Sequence, residues 1–406
     1  MKIGGVIAEF NPFHNGHAAL CAAARERGVT HLVAVMSGNF VQRGDFAITD
    51  KRVRTASALS AGVDLVLELP LPWAMSTAQT FARGGAGVLA ACGCIEVLAF
   101  GSECGEVAVL RELAGAIDCP AVEDRLRALL PLGLTYAKAR QQAAQEALGD
   151  DLAGRLASPN DLLGIEYLRQ ARALGWNPEI FLVKRKGVSH DAKRPAGGYA
   201  SASWLRARAG EGLSALSEFM PDACTGLLEE AGREGLFPAD KARMENAILS
   251  QLRRLSREEL SRLPDLSEGL ENRLYNAARS ACTVSALYGA VKTKRYTLAR
   301  VRRLALSAFL GIQQEDAKGV PPYLRVLGLN AKGEEILGRI KQTATLPLDA
   351  SLARLSRLGG RCKAIAALEE RATDLYSLAL PKPLPCGYEK TAPLVRYGRG
   401  SVAYPK

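Results

Sequence analysis

The chain has 406 residues, too many for one ordinary core, and the length predicts two or three domains. With 48% hydrophobic and 23% charged residues the composition excludes a disordered chain, and a net charge of +11 favours a polyanionic partner such as nucleic acid. The nine cysteines lack paired CxxC spacing, which argues against both a zinc site and a disulfide framework; Cys92 and Cys94 read as buried thiols in a reducing compartment.

The start, MKIGGVIAEF, is not a signal peptide, and the apolar stretch from Val63 to Met75 is interrupted by Asp64, Glu68, Pro70 and Pro72. A cytoplasmic protein without a membrane segment is expected. Short apolar runs then alternate with helical patterns: IGGVIAE before His17–Arg27, HLVAVMS before Asp50–Ala61, DLVLELP before Ser76–Ala91, and IEVLAFGSE before a longer helical stretch. A further run spans Glu179–Val183. This alternation predicts an α/β fold, a parallel sheet with helices on both faces. Beyond about Ser201, Leu, Ala, Arg and Glu recur at helical spacing, so the second half reads as mostly α-helical. The division expected is 1–210 for the α/β part and 211–406 for a basic helical part. PYLRVLGLNAKGEEILGRIK suggests a second small α/β piece near the end, and the tail from Leu380 reads as extended or mobile.

The first strand-to-helix turn carries the chemistry. EFNPFHNGH holds two of the four histidines, His14 and His17, three residues apart. A helix N-terminus in an open parallel sheet presents unpaired N–H groups and a positive dipole end to phosphate. Gly16 allows close backbone approach, and two imidazoles offer donors to the charge that builds during attack on an α-phosphate. A second segment, YASASWLRAR, offers Ser201 or Ser203 as a helix cap and Arg206 one turn inside, suited to a β- or γ-phosphate. The basic run KTKRYTLARVRR, with Lys292, Lys294, Arg295, Arg300, Arg302 and Arg303 and no acid, suits phosphate contacts of a nucleic acid. A second basic group gathers between Lys184 and Arg208.

HNGH resembles the HxGH signature of the nucleotidyltransferase superfamily, whose members have a Rossmann-like fold, and SASWLR resembles the ISSTxIR motif of its adenylyltransferases. Over essentially the whole chain, GVIAEFNPFHNGH, SGNFVQRGDFAITDK, GVDLVLELP, FGSE, SPNDLLGIEYL, VKRKGVSHD, YASASWLR, EGLENRL and KTKRYTLARVRRL resemble the tRNA(Met) cytidine acetate ligase family. That resemblance implies a ligase that activates acetate with ATP as acetyl-adenylate and acetylates N4 of the wobble cytidine of elongator tRNA(Met). It implies catalytic roles for His14, His17, Ser203 and Arg206. It places ATP on Ile7, Ala8, Glu9, Phe10, Asn11, Pro12, Phe13, His14, Asn15, Gly16, His17, Ala18, Ala19 and Leu20, with further contacts at Gly101, Asn160 and Arg185. Mg²⁺ would accompany ATP without an assigned protein ligand. The roles of Gln42, Arg43, Lys51 and His190 stay open, as does the oligomeric state. Two other readings remain: an adenylyltransferase for a small phosphorylated metabolite, and a tRNA-binding protein without catalysis.

Overall fold

A computed structural model of the whole chain describes residues 1–184, 195–267 and 269–398. The apolar runs form strands β1 (Ile3–Ala8), β2 (His31–Ser37), β3 (Leu65–Leu69), β4 (Val97–Ser102) and β5 (Glu179–Lys184). Residues of β2 and β3 are buried throughout, because helices cover both faces of the sheet. Between the strands run α1 (Asn15–Glu26), α2 (Lys51–Ser60), α3 (Ala78–Ala91) and α4 (Pro159–Ala173). Polar caps start several of them: Asp50 accepts from Arg52 N at 2.8 Å, and Thr77 accepts from Thr80 N at 3.3 Å.

Strand β1 pairs in parallel with β2 on one side and β4 on the other; β2 continues to β3, and β4 to β5. The chain therefore reverses its direction of sheet growth at β1, and a crevice opens at the carboxyl ends of β1 and β4, where open α/β sheets bind ligands.

The sheet also crosses residue 210. Strand β6 (Leu324–Leu329) lies antiparallel beside β3, with Leu65 opposite Leu329; β7 (Leu348–Asp349) and β8 (Val395–Arg396) pair in parallel with β6. The run expected to start a second small α/β piece thus completes the main sheet. The reason is the open edge of β3, whose backbone groups need a partner, and all six residues of β6 are buried in supplying one. The tail departs from the extended or mobile reading in the same way: it forms a short helix at Tyr388–Thr391 and then β8.

From 211 to 310 the chain is helical as read, ending in a helix over Leu298–Leu310; α5 (Ala202–Arg208) precedes this region, and we label the Leu298–Leu310 helix α6. A later helix, α7 (Gly360–Ser377), packs back toward the sheet. No disulfide forms among the nine cysteines; Cys92 is buried as expected, whereas Cys94 is half-buried. Among the described residues no helix is long and apolar enough to cross a membrane.

Candidate active site

The turn after β1 is built from the inside out. Phe10 takes a left-handed conformation, φ +46°, and Phe10 and Phe13 are buried with ring centroids 4.8 Å apart. On this apolar floor His17 stands edge-on to Phe10 at 5.0 Å, and His14 stacks on His17 at 3.7 Å. His14 caps α1: its Nδ1 accepts from Gly16 N at 3.1 Å, while His17 Nδ1 accepts from His14 N at 3.2 Å. A ring nitrogen that accepts an amide hydrogen carries none itself, so in both neutral rings the hydrogen sits on Nε2. Each histidine thus has one nitrogen engaged by the turn and presents an N–H donor at the other. Gly16 is needed here, because a Cβ would stand 2.9 Å from His14 Cε1.

The SASWLR segment closes on this turn. Arg206 donates to Asn11 O at 2.8 Å, and the Asn15 side chain donates to Gly198 O at 3.0 Å and Glu218 O at 3.1 Å. Ser201 caps α5 by accepting from Trp204 N at 3.2 Å, with the Ser203 hydroxyl 3.1 Å away. His14, His17, Ser203 and Arg206, some 190 residues apart in sequence, therefore belong to one locality. Asn11 Oδ1 accepts from Ile48 N at 2.8 Å, while its buried Nδ2 finds no acceptor among the described residues.

At the neighbouring strand end, Gly101 lies in β4 opposite Val183. Asn160 is not the cap of α4; Ser158 holds that position, and the Asn160 amide donates to Glu103 at 2.5 Å. Arg185 and His190 lie outside the described residues, as do Lys186, Lys193 and Arg194 of the second basic group.

The loop after β2, whose Gln42, Arg43 and Lys51 had no assigned role, is ordered by two sets of contacts. Phe40–Val41 and Asp45–Phe46 form a small hairpin, tied to the first turn by Gln42 N donating to Glu9 Oε1 at 2.9 Å. Lys51 is wholly buried: its ammonium contacts Glu68, lies 2.7 Å from Glu389 and 3.5 Å from Glu369. Arg325 joins the same ring, 2.7 Å from Glu68 and in contact with Glu389. Burial works against the charge on Lys51, but Glu389 and Glu68 outweigh it and hold the ammonium above its ordinary range. Burial, reinforced by Glu68, pushes Glu369 up to about 8. Lys51 is thus enclosed by protein carboxylates and is not presented to a substrate. Arg54, also buried, donates to the carbonyls of Glu9 and Ser37 at 2.7 and 3.0 Å, and so ties the ends of β1 and β2 together.

The basic run divides. Lys292 and Lys294 are exposed. Arg300 donates to Asp265 O at 2.9 Å and Arg303 contacts the Asp265 carboxylate, with side chains only 18% and 12% exposed. Asp265, 35 residues before Arg300, thus draws these two expected phosphate contacts toward the protein. Arg302 faces Asp45 of the hairpin at 4.0 Å. The hairpin itself presses on α6: Gly44, φ +70°, would place a Cβ 2.5 Å from Arg303 N.

Sequence reasoning missed Glu103, Asp161 and Arg54, which position the strand-end loops. A carboxylate or guanidinium that serves a backbone loop sits in no recognisable spacing; the only signal was the place of Glu103 directly after a predicted strand.

The HIGH Nucleotidyl Transferase family model matches residues 1–389. The chain is 36% identical over 405 residues to a tRNA(Met) cytidine acetate ligase of Thermoanaerobacter sp. (strain X514), covering 98% of this chain and 100% of that relative. It is 37% identical over 401 residues to the tRNA(Met) cytidine acetate ligase of Syntrophotalea carbinolica, covering 94% and 95% of the two chains. The crystal structure of Thermotoga maritima TmcAL bound with alpha-thio ATP superposes with a TM-score of 0.91 at 30% identity, covering 98% of this chain and 99% of that one. The apo crystal form of the same protein gives 0.92 at 31% identity.

Proposed function

The chain belongs to the tRNA(Met) cytidine acetate ligase family of HIGH nucleotidyl transferases, and from that premise we propose that it joins acetate to N4 of the wobble cytidine of elongator tRNA(Met) at the expense of ATP. An acetate oxygen attacks the α-phosphorus, the bond to the bridging oxygen breaks, and pyrophosphate leaves. The cytidine amine then attacks the acetyl carbon, AMP leaves with the electron pair of the carbon–oxygen bond, and the proton on nitrogen passes to solvent. The second step starts from an activated mixed anhydride and needs no dedicated strong base.

The chain's contribution to the first step is a set of donors. The N-terminus of α1, the Nε2–H groups of His14 and His17, and the Ser203 and Arg206 pair face the phosphates and stabilise charge as it develops on their oxygens. The observation that carries this reading is the closure of residues 198–206 on the histidine turn, Arg206 donating to Asn11 O and Asn15 to Gly198 O. ATP would lie over residues 7–20, its nucleoside toward Gly101 and Asn160. His14, His17, Ser203 and Arg206 would meet the phosphates as hydrogen-bond donors, and among the described residues no three His, Cys, Asp or Glu groups gather as a metal site. Mg²⁺ accompanying the triphosphate would supply charge neutralisation, with no protein ligand assigned to it.

The helical part presents the tRNA surface in this reading, with Lys292, Lys294, Arg295 and Arg302 as phosphate contacts. The hairpin seated on α6 connects that surface to the turn at Glu9. The cytoplasm, where tRNA is modified, is the place of action. Incubation with ATP and labelled acetate, with and without tRNA, tests the proposal. Acetate-dependent label in tRNA supports it; adenylylation of a small metabolite with no labelled tRNA contradicts it.

A further inference from the structure

Glu103, the residue directly after β4, takes the amide nitrogen of Asn160 at 2.5 Å on one oxygen and Asp161 N at 3.0 Å on the other. Asp161, wholly buried, grips in the opposite direction: it accepts from the Ser102 hydroxyl at 2.5 Å, from Glu103 N at 2.9 Å and from Cys104 N at 3.1 Å. The end of β4 and the first turn of α4 thus hold each other from both sides.

The chemistry of this clamp fixes more than position. A carboxylate has only lone pairs to offer, so the Asn160 amide must turn its nitrogen toward Glu103 and its Oδ1 away. No described residue donates to that oxygen, and Asn160 is half-buried at the carboxyl edge of the sheet, beside the strand of Gly101. A rigidly held acceptor at the mouth of a nucleotide crevice suits a hydrogen-bond donor on the ligand.

We propose that Glu103 is a positioning residue for the nucleoside of ATP, holding Asn160 so that its Oδ1 accepts from the adenine 6-amino group or a ribose hydroxyl. The proposal rests on the ATP reading of the crevice. Glu103→Gln tests it directly. Glutamine brings one acceptor and one NH₂ group, so one of the two bonds is lost, and Asn160 becomes free to turn its own NH₂ outward. The KM for ATP in pyrophosphate release then rises about tenfold with kcat near wild type. That penalty disappears with the analogue lacking the contacted donor: purine riboside triphosphate if it is the 6-amino group, 2′-deoxy- or 3′-deoxy-ATP if it is a hydroxyl.

An equal penalty for ATP and all three analogues overturns the proposal, as does an unchanged KM for ATP. Asn160→Ala provides the second variant, which leaves Glu103 bonded to Asp161 and should show the same analogue pattern. Unaltered ATP binding in Asn160→Ala overturns the reading of this edge as the nucleoside site. Weakened binding there with a wild-type KM in Glu103→Gln overturns only the role of Glu103. The thermal midpoint of each variant confirms that a folded protein is being measured.

Discussion

The ring around Lys51 and the turn around His14 stand at the same edge of the sheet, and they use polarity in opposite ways. In the ring, Lys51, Arg52 and Arg325 face Glu68, Glu369 and Glu389, and the opposed charges neutralise one another out of contact with water. In the turn the two histidines each spend one ring nitrogen, Nδ1, on the backbone and carry the N–H at Nε2. A cluster of opposed charges holds the fold, whereas a cluster of hydrogen-bond donors at a helix N-terminus suits an anionic ligand. A similar division recurs in the basic run, where Arg300 and Arg303 on α6 pair with Asp265 while Lys292 and Lys294, in the segment before α6, stand exposed.

The largest effect should come from breaking the ring. Lys51→Met removes the cation set between Glu68 and Glu389 in a dry site and should cost about 3–5 kcal/mol in denaturant unfolding, with ATP affinity of the folded protein unchanged. Wild-type stability with lost ATP binding would transfer Lys51 to the binding cluster. In the segment before α6, the double variant Lys292→Glu and Lys294→Glu should raise the KM for tRNA about tenfold and flatten its salt dependence, with acetyl-adenylate formation unaffected. A loss confined to the ATP step would contradict the assignment of that surface.

The smallest expected effect is a pH dependence within the ring. Because burial raises the Glu369 carboxyl, the native state holds its proton more tightly than the unfolded chain does. Its stabilising contribution is complete below about pH 4.5 and is lost as pH rises through about 8. Glu369→Gln imitates the protonated form, so its unfolding free energy should exceed that of the wild type at pH 8 and converge with it as pH falls below about 4.5. Parallel curves across that window would show that Glu369 does not titrate there.

The strands and the turn were legible because their signals are local. IGGVIAE, HLVAVMS and DLVLELP are continuous apolar runs bounded by breakers, and the HNGH turn joins one of them to a helix. The place of Leu324–Leu329 in the sheet was not legible, since antiparallel pairing with β3 over a separation of some 260 residues leaves no mark in either segment. The partners of cations were hidden for the same reason. Lys51 looks like a loop lysine until Glu389 arrives from the far end of the chain, and nothing in the sequence around Arg303 announces Asp265 as its partner. Conversely, Arg206 was read as a phosphate ligand, and its bond to Asn11 O gives it a second task, holding shut the turn it serves.

The central claim is that the histidine turn is the adenylylating apparatus, and His17→Ala tests it most directly. Acetate-dependent exchange of labelled pyrophosphate into ATP, measured without tRNA beside a tRNA-binding titration, should fall about 10²–10³-fold in the variant while tRNA affinity stays near wild type. Exchange at the wild-type rate in folded His17→Ala would contradict the account.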